Sequence, residues 1–179
     1  MITRTNDGII RFEETGVEAY PLYILPASDQ IMVLEWRNHL NVRKWMYNNQ
    51  PIGLEEHLAY IKGLASDNKN SSWLIKSDGK YVGIASLHRL DVYHRHGFLG
   101  IYGCPDSVVN GRGDILMYVI KKIAKDVLGL HTLKLEVFED NEHAINYYEK
   151  HGFVREGVLR EFVRVGGEYK DVFIYGCLV

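Results

Sequence analysis

Two glycines one residue apart, Gly111 and Gly113, stand at the mouth of a long apolar helical stretch, and they constrain the chain more than any other feature. Ahead of them, Phe98-Leu99-Gly100-Ile101-Tyr102 reads as a strand ended by Cys104-Pro105-Asp106. Behind them, Ile115, Leu116, Val119, Ile120, Ile123, Ala124 and Val127 recur at helical spacing, so one face of the helix is buried. Glycines at such a junction let a ligand approach the backbone closely, and the first-turn amides point outward unpaired. That is an anion site suited to phosphate or pyrophosphate. The same pattern also serves a plain strand–turn–helix junction.

The rest of the chain is laid out around this unit. Residues 9–25 carry two β-like runs, Ile9–Phe12 and Tyr20–Leu25, an opening strand or hairpin. Pro26-Ala27-Ser28-Asp29 is a helix start with Ser28 as its cap. Ile31, Leu34 and Trp36 form its buried side, and Arg37-Asn38-His39 ends it. A short helix around Asn41–Met46 leads to the loop Tyr47–Pro51. Leu54, Leu58, Ile61 and Leu64 mark a third helix, with His57 and Tyr60 on the flank of its stripe. Ser72–Lys76 and Tyr81–Leu87 flank a hairpin turn at Ser77–Lys80, and the second of these strands continues through His88–Tyr93. His94–Gly97 turns the chain into the strand before the glycines. Leu133–Phe138 alternates strongly as a strand, Ala144–His151 is a short helix, and Gly152-Phe153 leads into another strand. Val158–Val165 and Tyr169–Val179 form a hairpin over Gly166-Gly167. The expectation is one domain over residues 1–179, a mixed α/β (α+β) sheet flanked by helices.

Composition narrows the function classes. A formal charge of −2 argues against a nucleic-acid binder working through a broad basic surface. No apolar run approaches the ~18 residues of a membrane span, and Met1–Asp7 lacks the apolar core of a signal peptide. Cys104 and Cys177 make neither a disulfide framework nor a metal set. They are expected to be buried structural thiols, in keeping with a cytoplasmic protein.

Asn141-Glu142-His143-Ala144-Ile145-Asn146-Tyr147-Tyr148-Glu149-Lys150-His151-Gly152-Phe153 closely resembles the asparagine–alanine–tyrosine–glycine–phenylalanine signature of the GNAT superfamily of N-acetyltransferases. The superfamily's glycine motif is Gln/Arg-x-x-Gly-x-Gly/Ala; Gly111 and Gly113 match it, while Val108 stands in the first position. The resemblance implies the GNAT acyl-CoA N-acyltransferase fold, a central twisted and mostly antiparallel sheet. It implies acetyl-CoA as co-substrate, with no metal. The pyrophosphate is expected on the amides of Gly111, Arg112, Gly113 and Asp114, where the helix end favours an anion. A main-chain amide within Ile101, Tyr102 and Gly103 is expected to polarise the thioester carbonyl. Asn141 caps its helix and, with Ala144 beside it, meets the cofactor; Tyr147 is a packing residue. An amine attacks directly in a ternary complex. Tyr148 matches the tyrosine that protonates the leaving thiolate in related enzymes, and Glu136 resembles the glutamate used as base.

For the acceptor, the resemblance narrows to the acetyltransferases of the pseudaminic-acid pathway. It rests on Arg37-Asn38-His39, Trp45-Met46-Tyr47, His57-Leu58, Tyr93–Gly97, Leu99–Tyr102 and His131–Val137. These enzymes acetylate the 4-amino group of a UDP-linked amino sugar, UDP-4-amino-4,6-dideoxy-N-acetyl-β-L-altrosamine, in a pathway leading to flagellin glycosylation. Carried over by position, Arg37, His57, His88 and Arg89 address the diphosphate and sugar, and Met46, Tyr47, Tyr60 and Tyr102 supply apolar and aromatic walls. At His88-Arg89 the group carries a smaller hydroxyl followed by lysine, so His88 is a departure. His94-x-His96 shares one strand face, as metal ligands do, but without a third ligand it reads as a polar turn facing solvent or the uridine. A protein N-terminus or a polyamine is the rival acceptor, a non-catalytic CoA-binding module the rival class, and a homodimer a further possibility.

Overall fold

The computed structural model describes residues 1–179. Nine strands form a single sheet in the order β1-β2-β3-β4-β5-β6-β7-β9-β8. They are β1 Ile2–Arg4, β2 Ile10–Phe12, β3 Val17–Pro21, β4 Ser71–Ser77, β5 Lys80–Asp91, β6 His96–Gly103, β7 Thr132–Phe138, β8 Val154–Val165 and β9 Glu168–Leu178. Every neighbouring pair is antiparallel except β6 and β7. That parallel pair is joined by helix α4, Arg112–Lys122, because parallel neighbours need a crossover and cannot share a hairpin. Helices α1 (Ala27–Asn38), α2 (Leu40–Arg43) and α3 (Leu54–Gly63) fill the connection from β3 to β4, and α5 (Glu142–Lys150) that from β7 to β8. This is the mostly antiparallel sheet flanked by helices anticipated above.

Alternation along β4 separates two cores. Trp73 and Ile75 belong to the larger one, which packs under α4 around Leu116, Val119, Ile120 and Ile123. Leu74 lies on the opposite face and joins Ile84 from β5 with Val33, Trp36 and Ile61 from α1 and α3. Burying each such side chain stabilises the fold by about 2 kcal/mol. Covering both faces of the sheet explains why β4 reads as a continuous apolar run.

Several elements differ in detail from the sequence expectation. α1 starts at Ala27 after an extended Pro26, with no side-chain cap, so Ser28 lies inside the first turn. Its buried residues are Val33, Leu34 and Trp36, while Ile31 is turned to solvent. On α3 the buried residues are His57 and Ile61, with Leu54 and Leu58 exposed, because the helix lies against α1 and the Leu22–Ile24 turn rather than flat on the sheet. The Tyr20–Leu25 run divides at Pro21: β3 ends there and Leu22–Ile24 forms a 3-10 turn. α4 stays regular to Lys122 and then widens into a π turn over Ile123–Val127. β8 is one strand from Val154, with irregular pairing at Arg155/Gly157 and Leu159/Val163. Cys104 and Cys177 are both buried and free, as expected.

Candidate active site

β6 and β7 are hydrogen-bonded only where His96–Phe98 face Thr132–Lys134. Beyond that they part: β6 runs on to Gly103 and β7 to Phe138 with nothing paired between them. β5 holds the other side of β6 as far as Gly103, so Leu99–Gly103 offers one unused edge of main-chain donors and acceptors to the gap. The gap opens into a cavity of about 910 Å3. Ile101, Tyr102 and Gly103 line one wall and Glu136, Val137 and Phe138 the other.

At one end of the gap, α4 begins. Gly111 is left-handed with φ of 65°, a backbone state glycine adopts freely. Ile115 N–H bonds Gly111 O at 3.1 Å, so the amides of Arg112, Gly113 and Asp114 precede the first bonded turn and have no partner within the helix. Arg112 and Gly113 line the cavity, whereas Gly111 and Asp114 lie outside its lining. Arg112 Nη1 donates to Cys104 O at 2.9 Å and ties the start of α4 to the end of β6. Asp114 accepts from the His151 ring, with 3.0 Å between Oδ1 and Nε2.

α5 closes the same end. Asn141 caps it, its Oδ1 accepting from Ala144 N–H at 3.2 Å, and both residues line the cavity. Two residues matter on its inner face. Tyr147 donates to Gly113 O at 2.7 Å. Tyr148 packs its ring against Phe153 with centroids 5.8 Å apart, and its enclosure pushes the phenol up to about 12. It therefore carries its proton through the neutral range.

Glu136 lies mid-strand on β7 with both oxygens engaged. Oε1 pairs with Arg89 Nη2 at 2.9 Å, and Oε2 accepts from the Tyr47 hydroxyl at 2.8 Å. Tyr47 comes from the loop after α2 and packs on Phe138, so it bridges the two halves of the molecule. Arg89, expected at the diphosphate, lies outside the cavity lining and is directed to Glu136 instead, because a bulge turns it there.

The acceptor half of the cavity is walled by α1–α3. Arg37 Nη2 donates to Asn48 O at 2.9 Å, while Nη1 is buried without a partner. Burial pushes the guanidinium pKa down, with the nearby Tyr102 and Glu56 opposing. His57 is 5% exposed and its Nε2–H donates to Gln30 O at 2.9 Å, so one ring nitrogen is spent on the fold. Burial lowers its pKa and keeps it neutral, and His88 is lowered the same way with Arg89 adding to the effect. Tyr60 shares a hydrogen bond with Ser72, which shares another with Ser86. Met46, Tyr47, Tyr60, His88 and Tyr102 all line this half. Sequence reasoning missed Ser72 and Ser86, although Ser86 stands two before His88 and so on the same strand face. It also missed Phe138, at the end of the β7 alternation, and His143, inside the Asn141–Phe153 run.

Residues 29–153 match the acetyltransferase (GNAT) family. The chain is a GNAT acetyltransferase. It is thus an N-acetyltransferase that uses acetyl-CoA, and the site's observed features fit that molecule: unpaired amides at α4 for the pyrophosphate and the free β6 edge for the arm. Acetyltransferase PseH of Campylobacter jejuni is 31% identical over 147 residues, covering 82% of this chain and 83% of that one. Spermidine N(1)-acetyltransferase of Vibrio cholerae is 24% identical over 152 residues, covering 84% and 88%. Among solved structures, the Vibrio cholerae spermidine N-acetyltransferase in complex with CoA and spermine superposes with a TM-score of 0.80 at 22% identity, over 91% of this chain and 95% of that one. The Campylobacter jejuni PseH complex with acetyl coenzyme A gives 0.69 at 23%, over 90% and 98%. These superpositions establish the shared GNAT fold. No helix is long and apolar enough to cross a membrane.

Proposed function

We propose that this GNAT enzyme acetylates the 4-amino group of a UDP-linked amino sugar, UDP-4-amino-4,6-dideoxy-N-acetyl-β-L-altrosamine, in pseudaminic acid biosynthesis. The observation that carries the reading is Arg37: a guanidinium with one nitrogen buried and unpartnered in the wall of the acceptor cavity. Such a group calls for an anionic or acceptor-rich ligand, since leaving it unpaired is costly. A polyamine needs carboxylates converging on its ammonium groups. The cavity wall has only Glu56 and Glu136, and Glu136 is already paired with Arg89. The likeness to Campylobacter jejuni PseH over four-fifths of the chain supports the same reading.

In this reading acetyl-CoA supplies an activated acetyl thioester to the cleft between β6 and β7. The amides at the start of α4 hold the pyrophosphate, and the β6 edge at Ile101–Gly103 offers an N–H to the carbonyl oxygen. Glu136 takes the proton of the acceptor amine, and Tyr148 gives its proton to the departing sulfur. Arg37 binds the diphosphate, with His88, Tyr60 and Tyr102 around the sugar and base.

The experiment is thiol release from acetyl-CoA with the UDP-4-amino sugar, spermidine and an N-terminal peptide in parallel. Release with the sugar nucleotide alone is the expected result. Release with spermidine or peptide instead overturns the acceptor and leaves the N-acetyltransferase.

A further inference from the structure

We propose that Arg89 is the positioning residue of Glu136: it anchors Oε1 so that Oε2 is the oxygen that accepts the proton of the acceptor amine. The proposal rests on the reading of Glu136 as the base. The geometry behind it starts in β5. On a regular strand the consecutive residues His88 and Arg89 face opposite sides of the sheet. Here the register with β6 slips between His88 and Asp91, and Arg89 takes φ of 50°. The bulge turns both side chains toward the cleft region: His88 lines the cavity, and Arg89 reaches Glu136. A left-handed backbone is disfavoured for arginine and persists only where its surroundings impose it. Those surroundings are visible, because Asn70 Oδ1 accepts from the Arg89 N–H at 3.3 Å and Leu90 N–H bonds Lys69 O at 2.9 Å. Asp67 in turn holds Asn70.

The guanidinium, on a side chain 55% exposed, is oriented by one stacking contact. Its carbon lies 3.5 Å above the Phe98 ring centroid, a stacking that orients the planar fork toward β7. Phe98 is the last β6 residue paired with β7, so the stack sits where the two strands begin to part. Arg89 is outside the cavity lining and acts through Glu136.

The two oxygens of Glu136 thus have unlike partners. Oε1 is held by a stacked, bulge-mounted cation. Oε2 is held by the hydroxyl of Tyr47, a neutral donor from the loop after α2 and so the weaker of the two partners. An amine entering the cavity displaces the second partner more readily than the first, and Oε2 is left to take the proton.

The test compares kcat and KM for Arg89→Ala, Arg89→Lys, Glu136→Gln and the Arg89→Ala/Glu136→Gln pair. Each is assayed with the acceptor that supports thiol release, varying acceptor and acetyl-CoA in turn, and melting curves report folding. The expected result is a drop in kcat of about 10- to 100-fold for Arg89→Ala with both KM values unchanged. Arg89→Lys, which keeps the charge, recovers most of it, and Arg89→Ala adds nothing once Glu136 is Gln. A rise in acceptor KM at constant kcat makes Arg89 a substrate contact and overturns the proposal. So does an additive loss in the double variant. If Glu136→Gln alone leaves kcat intact, the reading of Glu136 as base is what fails.

Discussion

Tyr147 and Gly113 hold α5 and α4 together. The Tyr147 hydroxyl donates to the Gly113 carbonyl at 2.7 Å, and a Cβ built on Gly113 would lie 3.1 Å from the Tyr147 ring. The ring has little room to retreat, since it also lies against His151 with centroids 4.3 Å apart. The second glycine of the motif is therefore required by the packing of α5 on α4, whatever ligand the α4 amides hold.

Gly113→Ala is expected to displace Tyr147, disturb the α4 amides and weaken acetyl-CoA binding about tenfold, the equivalent of about 1.4 kcal/mol. Tyr147→Phe removes the hydroxyl alone and is expected to cost about 1 kcal/mol of stability. Calorimetric titration with acetyl-CoA and thermal unfolding of both variants check this. Unchanged affinity in Gly113→Ala would show that the ring yields.

Tyr148→Phe is expected to lower kcat by about 10²–10⁴-fold while acetyl-CoA binds as before. Equal turnover in the variant would remove Tyr148 from the chemistry and favour a binding module. The pH dependence has a definite sign. Burial raises the phenol to about 12, so its protonated form persists above the ordinary value of 10.0. Ionisation of Tyr148 is thus expected to cause no fall in kcat near pH 10.

Arg37→Ala is expected to raise the KM for a nucleotide sugar by about 10- to 100-fold, the loss of a charged hydrogen bond, with the KM for acetyl-CoA unchanged. Arg37→Lys recovers only part, because an ammonium lacks the fork. A polyamine acceptor would show the opposite sign: removing the cation would help it.

His57 links folding to pH. Its pKa is pushed below the usual 6.5 by burial, with Arg37 adding to the effect. Below 6.5 the unfolded chain takes up the proton and the folded one resists, so stability falls as pH falls through that range. A His57→Asn variant, which keeps a donor but cannot charge, is expected to show a shallower decline of Tm. An identical decline would assign it to other groups.

Much of this protein was legible along the chain. The periodicity of Leu116, Val119, Ile120 and Ile123 marked α4, the alternation of Leu133–Phe138 marked β7, and the Asn141–Phe153 run marked the family, because each is a local pattern imposed by a helix, a strand or a motif. Buried faces were harder. Ile31 and Leu58 point to solvent while Val33 and His57 do not, since which face of a short helix is covered depends on neighbours remote in sequence.

The pairings that define the site were not legible at all. Arg89 meets Glu136 across two strands, and Tyr47 reaches Glu136 from 89 positions away. Those contacts depend on a one-residue slip in β5 and on where β6 and β7 separate, and neither has a periodic signature. Residue types and spacing determined the family and the set of groups able to act. Only the folded sheet decided which oxygen each of them touches, because side-chain partnership is set by three-dimensional register, which a linear pattern does not encode.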